Sequence, residues 1–297
     1  MNGRVFIQAN QSPDIAHTPV SPQPNGQPIS IQANITDDLG IANVTLNYRR
    51  GGEPIFNAVP MANNNGEYQT TIPSNTVTSR GIEYFIEATD QKGLKSRWPA
   101  AGYVSIQVQV QNEVKPTAQP NGTEQSAYRL ISVPLDLDNQ SPQAVLEDDL
   151  GKYDDTKWRF SELRADQNYY EFPNTMLMTP GKAFWLLVKD GGKIIDSGAG
   201  KSNVTSQRYA IPLHPGWNFV ATPFNFPIPV ANISLQSGKS LALRTYSGIW
   251  NDPSTTLVDT VKPFEGYAVF NELLSTDTLF VNPDLVRSDA FKHSLLD

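Results

Sequence analysis

The chain has 297 residues, 39% of them hydrophobic and 18% charged, with 10% aromatic residues and a net charge of −7. Such a length and aromatic content predict two domains with buried cores, and the acidic balance offers no concentrated basic face for nucleic acid. Cysteine is absent, which excludes disulfides and thiolate metal sites, and no run approaches the ~18 apolar residues of a membrane span.

Residues 1–12 read as an N-terminal strand or arm. Arg4, Val5, Phe6 and Ile7 are candidates for donation to the sheet edge of another chain, because they resemble the last strand of a preceding module. The start lacks the long apolar centre of a signal peptide, so the chain is read as a piece of a longer exported polypeptide. From Ile29, apolar residues alternate with polar ones at Ile31, Ala33 and Ile35. Period two means a strand with one buried and one wet face. The pattern recurs at Val44, Leu46 and Tyr48, at Tyr68 and Ile72, at Ile82, Tyr84, Ile86 and Ala88, and at Val104, Ile106, Val108 and Val110. Turn signals separate these runs at Asp37-Asp-Leu-Gly40, Gly51-Gly52, Asn63-Asn-Asn-Gly66 and Asp90-Gln-Lys-Gly93. Residues 13–111 are therefore predicted to form an antiparallel β-sandwich.

The order of Asp37-x-x-Gly40, Val44-x-Leu-x-Tyr48, Gly66-x-Tyr68 and Gly81-Ile-Glu-Tyr84 through Asp90-x-x-Gly93 resembles the immunoglobulin-like, fibronectin type III-like modules of large secreted bacterial proteins. That resemblance implies the sandwich fold and says little of function, since such folds host many roles.

Residues 112–125 carry Pro116, Pro120 and polar residues without periodicity, and read as a linker. Beyond them, Tyr128-Arg-Leu-Ile-Ser-Val-Pro134-Leu and Trp217-Asn-Phe-Val-Ala-Thr-Pro223-Phe look like copies of each other. Each is followed by a tryptophan, Trp158 or Trp250, and then by Gly181-Lys-Ala183 or Gly266-Tyr-Ala268. Residues 126–283 are thus expected to be an internally duplicated β-rich domain, with units at about 126–200 and 209–283, leaving 284–297 as a C-terminal tail. The segments Trp158-Arg159, Pro180-Gly-Lys-Ala-Phe-Trp185 and Pro215-Gly-Trp-Asn218 resemble a β-rich module that accompanies immunoglobulin-like ones in bacterial surface proteins. The acidic stretch from Ala144 to Asp155 is expected to begin as a short helix.

Chemistry-bearing motifs fail one by one. Gly200-Lys201-Ser202 and Gly238-Lys239-Ser240 lack the glycine five positions earlier that a phosphate-cradling loop needs, having Ile195 and Ile233 there. The three histidines, His17, His214 and His293, show no metal spacing, and no Gly-x-Ser-x-Gly elbow occurs. Asp148, Asp149, Asp154 and Asp155 fit a solvated acidic turn best; a calcium site is the alternative, without the regular Asp-x-Asp-x-Asp-Gly loop. Seven Asn-x-Ser/Thr sequons follow from asparagine-rich strands. Of the five tryptophans, Trp158 and Trp250 follow turn-like polar segments and are the candidates for stacking a ligand, against the alternative of core packing.

No catalytic residue, cofactor or metal ligand is predicted. The duplicated scaffold and the family resemblance imply a non-catalytic spacer and docking part of a bacterial cell-surface or secreted assembly, extracellular, with other protein subunits or modules as partners. The other reading makes these the accessory domains of a larger secreted hydrolase, binding glycans through exposed aromatics.

Overall fold

The computed structural model describes residues 9–174, 177–252 and 257–284. Arg4, Val5, Phe6 and Ile7, the candidate donated strand, lie outside them, as does the tail beyond Asp284. The chain is all-β, built from largely antiparallel sheets with one short α-helix among the described residues.

In the N-terminal part, one sheet orders Asp14–Ala16, Ile29–Thr36, Glu67–Ile72 and Ala62–Asn64. The facing sheet orders Val104–Ile106, Ile82–Asp90, Ile41–Arg50 and Asn57–Pro60, with Lys95–Trp98 also on Ile82–Asp90. Alternation decides which residues meet: Ile29, Ile31, Ala33 and Ile35 are buried while the polar residues between them are exposed. Ile31, Leu46, Ile72 and Ile86 are fully enclosed between the sheets. The result is a β-sandwich.

The second half contains two further cores, one from Val110 to Ile195 and one from Ile211 to Val281. Here the structure corrects the sequence reading in two places. Residues 112–125 are not a free linker. The Lys115 N–H donates to the Ile195 carbonyl at 2.8 Å, the Ser197 N–H to Glu113 at 2.9 Å and the Gln119 N–H to Lys193 at 3.0 Å. Val114 bridges Asp196 just as Ile211 pairs with Leu279 in the second repeat. The supposed linker is therefore the first edge of the first repeat, which begins near residue 112; its prolines and polar side chains hide a pairing made by the backbone between them.

The second correction concerns the repeat alignment. Ile131 pairs with Phe184 and Val220 with Tyr267. Superposing the two Pro-closed strands thus sets Ala183 against Gly266 and Gly181 against Phe264, two positions away from the Gly-x-Ala match. Both Gly181 and Phe264 have a left-handed backbone, with φ of 85° and 64°.

In that register the repeats are related by an approximate two-fold exchange. The Ser132 N–H donates to Phe264 O at 3.2 Å, and its equivalent Ala221 donates to Gly181 O at 2.9 Å. The Gly266 N–H donates to Leu130 O at 3.0 Å, and Ala183 to Phe219 O at 3.3 Å. Bridges Ile131–Glu265 and Lys182–Val220 complete the reciprocity. A Cβ on Gly266 would lie 2.5 Å from the Ala183 Cβ, so the equivalent positions touch at the axis and one must be glycine. Asn203 sits between the copies, its amide donating to Pro223 O at 2.6 Å and reaching Pro134 O at 3.5 Å.

The helix Pro142–Leu150 belongs to the first repeat. Ser141 caps it by accepting from the Ala144 N–H at 3.2 Å, Pro142 opens it, and Val145, Leu146 and Leu150 face the core.

The sandwich is docked on the second half rather than tethered to it. Val108–Val110 pairs with Gly200–Lys201, so one four-stranded sheet contains strands from both parts. Phe226 lies over the Gly51-Gly52 turn, where a Cβ on Gly52 would fall 2.3 Å from its ring. Around it, Asn225 donates to Ser79 Oγ at 2.8 Å, Tyr103 donates to Thr205 O at 3.0 Å and Arg80 stacks on Phe226. Arg49, ion-paired with buried Glu83, places its guanidinium 4.2 Å from the centroid of Phe56 and 3.5 Å from Asp284.

Two outcomes follow. Asn203→Ala removes the bridge between the prolines and is expected to lower stability by about 1–2 kcal/mol, read from the urea midpoint at unchanged slope. His17 is half-buried between Tyr84, at 2.8 Å from its Nε2, and the Gln32 carbonyl, at 2.6 Å from its Nδ1. Burial lowers its pKa despite the Gln32 contact, which raises it. A depressed histidine contributes stability above the ordinary pKa of 6.5 and loses it as pH falls through the lowered value. Between about pH 7.5 and about pH 5.5, the melting temperature of His17→Gln is therefore expected to fall less than that of the parent chain.

Candidate binding site

The reciprocal backbone bonds bring the outer faces of two sheets together. One orders Arg129–Ile131, Phe184–Val188, Trp158–Leu163 and Tyr169–Glu171; the other orders Gly216–Val220, Tyr267–Asn271 and Leu243–Arg244. Side chains pointing away from the two cores meet at this junction, and most are aromatic.

Trp185 forms the floor. It is 9% exposed and makes edge contacts with Tyr246 at 5.0 Å, Phe219 at 5.5 Å, Trp250 at 5.6 Å and Tyr128 at 6.0 Å between centroids. Phe219 lies near-parallel to Trp250, at 26°, and tilted to Tyr169, at 33°. The rings come from both repeats, and each repeat also sends a hairpin tip across. Gln167 accepts from the Trp217 N–H at 2.8 Å and donates to Pro215 O and Trp217 O; from the other side, Tyr246 donates to Gln125 O at 3.0 Å.

A cleft of about 520 Å³ opens over this floor and adjoins one of about 390 Å³, with Tyr169 and Trp250 common to both. At its rim Arg159 forms a two-pronged pair with Glu171, at 2.6 and 2.5 Å. Hydrogen bonding to Glu171 pushes the Arg159 pKa upward, so the guanidinium holds its charge beside that carboxylate. Four aromatic side chains are substantially exposed among the described residues: Tyr169 at 59%, Phe270 at 48%, Trp250 at 39% and Trp217 at 38%. All four lie on this junction, with Phe270 beside Trp217 at 5.1 Å.

The two sequence candidates part company here. Trp250 stands in the cleft. Trp158 does not: it is 2% exposed, packs edge-on to Tyr153 at 4.8 Å and donates its indole N–H to Gly151 O at 3.1 Å. It has no face for a ligand, because the alternating strand that carries it turns Trp158 and Phe160 into the core of the first repeat. Sequence reasoning missed Tyr169, Trp185, Phe219 and Tyr246. For Trp185 the signal was weak, since the strand Phe184–Val188 is buried throughout and shows no alternation.

The acidic stretch serves the backbone. Glu147 accepts from the Tyr153 N–H at 3.0 Å, Asp149 from the Asp196 N–H at 2.7 Å, and Asp154 from the Thr156 N–H at 3.0 Å. Among the described residues no group of three or more His, Asp or Glu side chains is placed to hold a metal ion, so the calcium alternative at Asp148, Asp149, Asp154 and Asp155 finds no cage. Gly200-Lys201 is a ladder strand between Asp136–Leu137 and Val108–Val110, which accounts for its glycine without a phosphate. No helix among the described residues is long and apolar enough to cross a membrane.

No protein-family model matches the sequence, and no curated protein matches it. Among solved structures, the chain is similar to Escherichia coli alpha-2-macroglobulin activated by porcine elastase, at 12% identity and a TM-score of 0.23. The match covers 92% of this chain and 28% of that one. No catalytic family is identified, and a likeness so distant carries nothing about function.

The contrast between the two positions is measurable by urea denaturation. Trp158→Ala is expected to cost about 3–5 kcal/mol by emptying a core site, whereas Tyr169→Ala should stay within about 0.5 kcal/mol of the parent.

Proposed function

We propose that this chain is a non-catalytic interaction module of a bacterial cell-surface or secreted assembly, holding a binding face in fixed orientation. The observation that carries the reading is the gathering of the four exposed aromatic side chains at one junction, on a frame built from both repeats. Aromatic residues bring large contact area at small cost in side-chain entropy, and a patch of them left open to solvent marks an interaction surface. The frame suits the role. Strand pairing and close side-chain packing join the sandwich to the repeats, so load or orientation passes through the chain without a loose hinge. Ionisable groups along the chain have structural work: Glu147, Asp149 and Asp154 hold backbone, and His17 packs between Tyr84 and Trp98.

A photo-crosslinking residue placed at position 169 in the producing cells tests the proposal. Adducts with an extracellular protein or polymer are expected from position 169 and not from position 67, which lies on the Glu67–Ile72 strand of the sandwich. Adducts of equal yield from both positions, or from neither, would remove the aromatic junction as the interaction face.

A further inference from the structure

We infer that the ligand of the aromatic cleft is a neutral carbohydrate chain, an inference that rests on the interaction role proposed above and names its ligand class. The lining of the 520 Å³ cleft is unusual in what it omits. Among the described residues it comprises five aromatic side chains and four polar ones, Gln125, Arg159, Ser161 and Glu171, and no aliphatic side chain. A protein or lipid partner burying apolar groups would be met by a mixture of aliphatic and aromatic walls. A pyranose matches the opposite mixture: its ring C–H groups form a flat apolar face that stacks on an aromatic ring, and its hydroxyls lie at the edge, where planar polar side chains can pair with them.

The placement of the rings supports the same class. Trp250 lies near-parallel to Phe219 of the adjoining cleft at 6.5 Å between centroids, and Tyr169 lies tilted to the same ring at 6.3 Å. Trp185 holds Phe219 and Trp250 from below by edge contacts. The stacking surfaces are therefore set before any ligand arrives, which reduces the ordering cost of binding. Sugar hydroxyls need donors and acceptors in fixed positions, and the Arg159–Glu171 pair supplies both.

Charge selects the neutral form. Among the described residues, the charged side chains lining this cleft are Arg159 and Glu171, which form an ion pair. An acidic polymer would find no net positive charge there, and a cationic ligand no free carboxylate. Arg244 lies in the adjoining cleft, over the Trp217 ring at 5.4 Å.

Affinity electrophoresis of the whole chain, through gels containing hydroxyethylcellulose, soluble starch, arabinoxylan, galactomannan or the acidic polymer alginate, tests the inference. Retardation by at least one neutral polymer is expected, and Tyr169→Ala and Trp250→Ala should each weaken it at least tenfold. Trp250 packs against Trp185, so a melting curve accompanies its variant; Tyr169 is the more exposed ring and keeps the test decisive if Trp250→Ala unfolds. Three results would overturn the inference: no retardation by any neutral polymer, retardation by alginate alone, or retardation unchanged in Tyr169→Ala. If the crosslinker at position 169 still captures a defined extracellular protein in that event, the interaction role stands and only the carbohydrate falls.

Discussion

The reciprocal backbone exchange between the two repeats is the constraint on which the rest of the second half depends. Leu130, Ser132, Ala183 and Ala221 are buried, and their peptide groups have no water to turn to. A buried N–H or carbonyl without a partner costs about 1–3 kcal/mol, whereas a made bond contributes only about 1 kcal/mol net. The four exchanged bonds therefore matter chiefly through what their loss would leave behind. Neither repeat can complete its inner edge alone, so the pair forms one unit although each has its own core. The close approach that makes the exchange workable depends on Gly266, whose missing side chain lets Ala183 come to the axis.

Docking of the sandwich follows from the same principle applied to a second boundary. Val108–Val110 would be an unpaired edge were it not matched by Gly200–Lys201, and the Ser202 hydroxyl accepts from the Val108 N–H at 2.9 Å. Next to that ladder lies a charged pair, Arg49 with Glu83, each almost wholly removed from solvent. Burial raises the Glu83 pKa, and the Arg49 charge opposes it. Such a pair adds little net stability, because desolvation offsets attraction, but separating its partners would strand a charge. The guanidinium is also enclosed by the Phe56 and Tyr103 rings. Both partners and both rings belong to the sandwich, and Arg49 reaches the second half through Asp284, at 3.5 Å.

How much of this could be read from residues depends on which face of each strand meets water. In the sandwich, Ile29, Ile31, Ala33 and Ile35 alternate with exposed polar residues, and the sheet could be inferred strand by strand. Phe184–Val188 is enclosed on both sides by a core and by the aromatic junction, so alternation vanishes and with it the clue to what its outer face does. Residues 112–125 failed for another reason: Pro116 and Pro120 suggest a loop, yet the Lys115 and Gln119 amides are free to pair. Phe264 in a left-handed conformation hid the true register, because the sequence match aligned glycine with glycine while the chain aligned Gly181 with a phenylalanine.

The aromatic cleft sits where the two repeats differ most in side-chain size. Strand pairing makes Leu130 the counterpart of Phe219 and Trp185 the counterpart of Ala268. Had both copies kept the larger residue at each position, two tryptophans and two phenylalanines would compete for the space around the axis. Instead a large floor residue in one repeat is matched by a small one at the equivalent position of the other, and the Phe219 wall by Leu130. Backbone symmetry is retained, since it satisfies the exchanged hydrogen bonds, while side-chain symmetry is lost where solvent can enter. The second copy thus does more than close a core: Phe219, Tyr246 and Trp250 come from it, Tyr128, Tyr169 and Trp185 from the first, and the cleft exists in neither repeat alone.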